Sequence, residues 1–491
     1  MALVAGVDSS TQSVKVVVCD TETGRIVRSG RASHPDGTEV CAAAWWDAYQ
    51  EATGAGLLDG VQAIAVGGQQ HGMVTLDEGG ELVRDALLWN DNRSAADAKD
   101  LIDEFGGRAA WAEAIGTVPV ASVTIAKLRW LARVEPEAAA RTASVLLPHD
   151  YLTWMIGGRS FAPVTDRGDA SGTGYFDAAA NKYRRDLVEL ALGSDLAHDL
   201  THELAHDLAH DLALPRVAGP HEIVGETEAG IAIAPGTGDN MAGALGLGVE
   251  PGEAVVSLGT SGTSYTVAEQ QSHEATGTVC GFADATGRFL PLVCTLNCAR
   301  NLAAAAAMLR VDLDELSRLA MVAPPGAEGI TFMPYLDGER TPPLPEATGE
   351  LLGLTRANMK PENIARAAIE SVLWSLAFGS EVLAEHTGSI SSIILTGGAA
   401  QSTAVQHIAP AVFGLSVTVT EPFESVAVGA ARQAAWALTG QLPEWKVPVA
   451  RELEPTSEDL QAHHEIGERY RAALRAHYPN AQVPENRTQV G

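Results

Sequence analysis

The sequence predicts an α/β fold in two related domains, and three observations carry that prediction. The stretch Leu3–Asp20 reads as a β-hairpin: Leu-Val-Ala-Gly-Val, a polar turn Asp8-Ser-Ser-Thr-Gln-Ser13, then Val14-Lys-Val-Val-Val-Cys19. The same design returns about half a chain later as Ala254–Leu258, the turn Gly259-Thr-Ser-Gly-Thr263, and Ser264–Ala268. At Val61–Gly72 and again at Ile393–Ser402, an apolar strand runs directly into a glycine-bearing turn. A chain of 491 residues exceeds one ordinary core. One hairpin is therefore assigned to each domain, residues 1–246 and 247–480, with 481–491 as a disordered tail.

Composition removes several function classes. Lys and Arg total 33 against 62 Asp and Glu, a formal charge of −29. Such a surface repels phosphate backbones and anionic lipid alike, so neither a nucleic-acid nor a membrane partner is expected. An anionic ligand must instead meet locally placed donors such as backbone N–H groups. The start Met1-Ala-Leu-Val-Ala-Gly-Val-Asp8 has no basic residue and no long apolar run, and no stretch approaches bilayer-spanning length. A soluble, cytoplasmic chain is expected. Cysteines 19, 41, 280, 294 and 298 form no paired zinc spacing. Cys294 and Cys298 are spaced to share a helix face, and buried, reduced thiols are expected.

The candidate site residues follow in chain order. The hydroxyl-rich turn after Asp8 offers a concave nest for phosphate, and Asp8, at the end of a buried strand, is placed to hold magnesium through water. Ordinary loop chemistry uses the same residues. Gln69-Gln-His-Gly72 puts hydrogen-bonding side chains at a strand's C-terminal end, where α/β proteins bind small polar ligands. A lone His71 is more often structural. Leu87-Leu-Trp-Asn-Asp-Asn-Arg93 sets the Trp89 face beside the Asp91 carboxylate, which suits a polyol or sugar and equally a surface turn. Residues 94–160 are helical in pattern, and Asp166, in a glycine-bearing loop, is a further candidate that turn chemistry also explains. Between 195 and 214, His198, His202, His206 and His210 recur in an imperfect octamer duplication. That stretch is read as a surface insertion, with a metal-binding stripe as the alternative.

Near the middle, Pro235-Gly-Thr-Gly-Asp-Asn-Met-Ala-Gly-Ala-Leu-Gly-Leu-Gly248 places Asp239 at a helix N-terminus. There the dipole and free N–H groups favour its charged form, which suits a proton acceptor; an ordinary N-cap is the alternative. Glu362–Glu385 reads as a long helix. The glycines of Ile393–Ser402 let the backbone lie flat against a planar ring such as adenine. The small-residue helix Val426–Ala435 is expected to pack beneath that turn.

Two further stretches resemble the signatures of the FGGY family of sugar kinases. One is Gly349-Glu-Leu-Leu-Gly-Leu354 with Asn363-Ile-Ala-Arg-Ala-Ala-Ile-Glu370; the other is Ser122-Val-Thr-Ile-Ala-Lys-Leu-Arg-Trp-Leu131. The resemblance spans residues 2–440. It implies two ribonuclease-H-like, actin-like ATPase domains with a cleft between them, and phosphoryl transfer from ATP with Mg2+. By likeness, Asp239 is the general base and Asp8 organises the metal. Ser10, Thr11 and Lys15 lie near the phosphates, which Gly259 and Thr260 cradle from the second domain. Gly397, Gly398 and Ala399 border the adenine, Ala399 standing where another glycine is common.

Gln70 and His71 contact the sugar by the same likeness, and Trp89, Asp91 and Asn240 complete that set. The same likeness implies D-xylulose as the acceptor, and the loop at Gln69–Gly72 disfavours glycerol, since glycerol kinases carry an Asn-Gln-Arg-Glu type of sequence there. Ribulose, gluconate, fuculose or a pentitol are the alternatives within the family, and an actin-like or chaperone-like ATPase the one outside it. Leu147–Leu152 and Phe332–Pro342 are read as scaffold. A homodimer is the assembly left open.

Overall fold

The structure, a computed structural model, describes residues 2–193, 212–479 and 481. The histidine repeat and the expected tail after 481 lie outside the described residues. The chain forms two compact units. One comprises Met1–Gly248, Glu269–Leu290 and Glu424–Val447; the other comprises Val249–Ala268, Pro291–Phe423 and Pro448–Gly491.

In the first unit, Leu3–Ser9 and Ser13–Asp20 pair antiparallel as the expected hairpin, with Asp8 opposite Lys15. The other edge of Leu3–Ser9 runs parallel to Val61–Gly68, and the short strand Thr237–Gly238 lies parallel beside that strand's end. These strands are largely apolar because both faces of this mixed sheet are covered; Val4, Ala5, Val7, Val14 and Val16 are all fully buried. Side chains alternate across the sheet. Ala5 and Val7 enter a core with Tyr49, Ile64 and Leu152, and Gly6 and Asp8 face the opposite way.

On that opposite face lies the helix Ser425–Thr439. A Cβ on Gly6 would come within 1.9 Å of the Ala427 carbonyl oxygen. The same helix touches the helix Asp239–Leu247 backbone to backbone: a Cβ on Gly246 would lie 2.0 Å from Ser425 O, and one on Gly429 1.8 Å from Ala242 O. This corrects the expectation that residues 426–435 pack beneath the Gly397 turn. Their partners are the first unit's sheet and its Asp239 helix. Small residues announce a close approach without saying to what.

Helices Ala95–Phe105, Arg108–Ile115, Thr124–Val134, Pro136–Arg141 and Pro148–Ile156 fill the stretch read as helical, interrupted by the strand Ser144–Leu146.

In the second unit, Glu253–Leu258 and Gly262–Thr266 form the second hairpin, its return strand starting before the expected Ser264. Glu253–Leu258 runs parallel to Ser392–Thr396, which runs parallel to Ser416–Thr420. The long helix Pro361–Thr387 begins with proline at a position that needs no N–H donor. Its Leu373, Leu376 and Ala377 pack with Val256, Leu395 and Ile408. Among the described residues this one helix is long and apolar enough to cross a membrane, and 83% of its most apolar window is buried in the protein.

The cysteines depart from expectation in two ways. Cys294 lies on the strand Phe289–Thr295 and Cys298 precedes the helix Ala299–Leu309, so they share no helix face. Cys41 is exposed, and among the described residues no disulfide joins any of the five cysteines.

Candidate active site

Parallel neighbours in the first unit end together. Asp8 and Thr237 are both in register with Gly67, on either side of it, so Asp8, the Gln69–Gly72 loop and Asp239 leave the sheet at its C-terminal edge. Ligands bind at this edge in open α/β sheets. Asp8 is 4% exposed. Ser10 Oγ donates to one of its oxygens, and Lys15 Nζ lies 3.8 Å from the other and 2.7 Å from Glu424. Burial pushes the Asp8 carboxyl above the usual range, Ser10 and Lys15 oppose the rise, and Glu424 adds to it.

One buried carboxylate at a strand end suits a magnesium ion that keeps most of its water ligands. Among the described residues no cluster of three or more His, Cys, Asp or Glu offers an all-protein cage. The donor set therefore fits water-coordinated magnesium better than a metal held by protein alone.

Asp239 is the first residue of the helix Asp239–Leu247 and is partly exposed. A Cβ on Gly238 would meet Gln70 Cγ at 2.8 Å, so the turn rests on that side chain. Asp239 Oδ1 accepts from the Asn240 backbone N–H at 2.8 Å and from Asn240 Nδ2 at 3.0 Å. The same Nδ2 donates to Gln70 Oε1 at 2.9 Å. Burial, then the charges of Asp8 and Asp169, push the Asp239 carboxyl up to about 7, against the pull of Asn240. This corrects the expectation that the helix end favours the charged form. A dipole contribution of about 0.3–1 kcal/mol is outweighed by desolvation and two neighbouring acids. A carboxylate titrating near neutrality, with some solvent access, is matched to accepting a proton from a hydroxyl.

The Gln69–Gly72 loop is held from behind. His71 has φ of +65°, a conformation uncommon for a residue with a side chain. Its Nδ1 donates to the Gly172 carbonyl at 2.7 Å, and its ring lies 5.5 Å from that of Phe282. Its own carbonyl accepts from Thr124 Oγ1 and Lys127 Nζ, both at 3.2 Å. Lys127 is completely buried, and burial pushes its ammonium down to about 7. The Ser122–Leu131 signature thus supplies a buried clamp for the loop's backbone.

Trp89 Nε1 donates to Thr11 Oγ1 at 2.9 Å, joining the aromatic candidate to the hydroxyl turn after Asp8. Asp91 is buried, and both its oxygens are engaged by the protein: Oδ2 by Thr38, Oδ1 by the backbone N–H and Nε of Arg93. Burial pushes its carboxyl up, but these bonds bring it below the usual range.

The sequence reading passed over one feature behind the site. His149, Asp150, Asp166 and Asp169 are all at most 4% exposed and form a single buried cluster. Asp166 does make the expected turn bonds, to the backbone N–H of Gly168 and Asp169. It also accepts from Thr237 Oγ1 at 2.7 Å. The adjacent His149-Asp150 pair inside the mostly apolar helix Pro148–Ile156 was the available signal, since charged residues are rarely buried unless paired.

In the second unit, Gly259-Thr260-Ser261 ends the strand Glu253–Leu258; the Gly259 carbonyl accepts from Ala299 N–H at 3.0 Å, and Thr260 is exposed. Ser257 is in register with Thr396, so Gly397, Gly398 and Ala399 leave the sheet from the adjacent parallel strand. Gly397 has φ of +92°, and a Cβ there would lie 2.7 Å from the Leu258 carbonyl oxygen. The two turns therefore touch. Gly398 is exposed with nothing within 4 Å of a Cβ position, an open backbone face of the kind a flat ring needs. Ala399 is half-buried within the single turn Gly398–Gln401.

Comparison with known proteins fits this geometry. The model of the N-terminal domain of the FGGY family of carbohydrate kinases matches residues 3–246, and that of the C-terminal domain matches 254–438. A xylulose kinase of Streptomyces rubiginosus is 43% identical over 478 residues, 93% of each chain. One from Streptomyces coelicolor is 44% identical over 456 residues, 89% of each. The crystal structure of xylulose kinase from Bifidobacterium adolescentis superposes with a TM-score of 0.87 at 45% identity, covering 94% of this chain and 99% of that one. Two sheet-bearing units built on one hairpin plan have the actin-like ATPase fold, and with both domain models matched in order, the chain belongs to the FGGY family of carbohydrate kinases.

Proposed function

We propose that the chain transfers the γ-phosphoryl group of ATP to a hydroxyl of D-xylulose, giving D-xylulose 5-phosphate and ADP. The observation that carries this reading is Asp239: a carboxyl near neutrality, bonded through Asn240 to Gln70, and within reach of the charge of Asp8. The named relatives, all xylulose kinases, support the choice of acceptor.

In this reading residues 1–246 bind the sugar and carry the chemistry, and 247–480 bind the nucleotide. Asp239 takes the hydroxyl proton as the sugar oxygen attacks phosphorus. Gln70, His71, Trp89, Asp91 and Asn240 orient the ketose. Ser10, Thr11 and Lys15 face the phosphates, the Gly259-Thr260 turn offers them N–H groups, and Gly397, Gly398 and Ala399 border the adenine. Asp8 would hold magnesium, which when bound neutralises charge on the phosphates. Phosphoryl transfer demands little covalent chemistry of the protein, so positioning supplies most of the acceleration.

The test is ADP release, coupled to a spectrophotometric readout, across ketoses, polyols and aldonates. D-xylulose should give the highest kcat/KM and should strongly stimulate ADP release over the sugar-free rate. A higher kcat/KM for ribulose, gluconate or fuculose would reassign the acceptor, and equal rates with and without any sugar would remove the kinase reading.

A further inference from the structure

The buried cluster beneath the Asp239 turn takes no part in the steps above, yet it touches the strand end that leads into Gln69 and the turn that leads into Asp239. His149 Nδ1 lies 2.6 Å from Asp169 Oδ2, and Nε2 lies 3.2 Å from Asp150 Oδ1 and 4.0 Å from Asp166 Oδ1. A carboxylate oxygen bonds Nδ1, and two more lie close to Nε2 without hydrogen-bonding it. Only the imidazolium presents an N–H on each, and only a cation offsets acids held away from water. In accord with this, although burial alone pulls the imidazole down, Asp150, Asp169 and Asp166 together push it up to about 9.

The ring is also a wall of the site's backbone. A Cβ on Gly68 would lie 2.7 Å from His149 Cβ, and one on Gly236 would lie 2.8 Å from His149 Cδ2. Both glycines flank residues that reach the sugar loop or the base. Asp166, held by the same charge, accepts from Thr237 Oγ1 at 2.7 Å, and Gly238 then leads directly into Asp239. On the other side, Gln70 helps stabilise the ionised form of Asp169.

We infer, resting on the reading of Asp239 as the base, that His149 is a positioning residue: a buried imidazolium that keeps Asp166 and Asp169 ionised and, through the Asp166–Thr237 bond, fixes the turn presenting Asp239. Remove the cation and the cluster holds surplus negative charge that water cannot reach. The acids then take up protons, the acceptor for Thr237 is weakened, and the turn gains freedom. Misplaced by a fraction of an ångström, Asp239 loses reach to the hydroxyl. The cost falls on kcat, and KM for ATP is spared.

Two variants separate this role from simple support of the fold. Thr237→Val cuts only the link between cluster and turn; His149→Gln removes the cation. The kinetics of both singles and the double are measured with the melting temperature of each. Thr237→Val should lower kcat about tenfold while leaving the melting temperature and KM for ATP near those of the parent. His149→Gln should lower both kcat and the melting temperature. The double should be no slower than His149→Gln, because both act through one link.

A parental kcat in Thr237→Val overturns the inference, as does a double variant whose loss is the product of the two singles. If His149→Gln does not fold, Thr237→Val still decides. Histidine-selective 15N spectra supply a readout independent of activity. The resonances lost in His149→Gln, or shifted in Asp169→Asn should that be the only folded variant, should be those of an imidazolium at about pH 8. Neutral-imidazole shifts there would refute the charge assignment and leave the kinase reading intact. A parent protein that phosphorylates no sugar would remove the kinase reading while the spectra still stood.

Discussion

The two units share one plan and differ in what stands at the end of it. In each, a hairpin strand lies parallel to a second strand that runs into a turn, Leu3–Ser9 beside Val61–Gly68 and Glu253–Leu258 beside Ser392–Thr396. At the first edge stand Asp8, Gln70, His71 and Asp239, with four more buried ionisable groups just behind. At the second stand Gly259, Thr260, Gly397 and Gly398, with no ionisable side chain among them. A common scaffold thus serves opposite needs. On the proposed reading, the desolvated acids shift their own pKa values and do proton chemistry, whereas the bare backbone offers N–H groups and room for a ring without chemistry of its own.

That contrast is open to attack at each edge. The largest effect should follow from Asp239→Ala, which removes the base: kcat should fall by about 10²–10⁴-fold with KM for ATP little changed. Near-parental turnover in steady-state assays would end the claim that the first edge does the chemistry.

Next is the contact that fixes the base's helix. In Gly429→Ala the new Cβ would stand 1.8 Å from the Ala242 carbonyl oxygen, so helices must part. Overpacking of this kind costs about 1–3 kcal/mol, and calorimetry should record a lower melting temperature together with a lower kcat. Loss of activity with unchanged melting would mean the glycine serves chemistry and not packing.

Smallest should be Gly398→Ala at the second edge. Its Cβ meets nothing within 4 Å, so melting should be unaffected while KM for ATP rises a few-fold and kcat holds. A change in KM for the sugar instead would blur the division between the edges.

How much of this was legible in the sequence depends on the range of the interaction. Both hairpins, the helix Pro361–Thr387 and the strand-to-turn at Gly397 were readable because period and turn residues are local signals. The partner of Ser425–Thr439 was not. Its glycine and alanines record a close approach, but the contact with Gly6 spans most of the chain and that with Gly246 more than a third of it. The direction of the Asp239 shift was misread for a related reason. The helix start is visible in Gly238-Asp239, whereas Asp8 and Asp169 reach Asp239 only through the fold. The His149 cluster was missed because its members are scattered over two stretches that each look ordinary alone.

The central claim is that Asp239 acts as a base with a raised pKa, and its most direct test is the pH dependence of kcat/KM for the sugar. A carboxyl at about 7 is protonated and idle below that value and ionised above it. kcat/KM should therefore rise with pH through a single ionisation near neutrality and then level, as free-enzyme groups govern this parameter. The residual activity of Asp239→Ala should lack that limb; the same ionisation persisting in the variant would contradict the account.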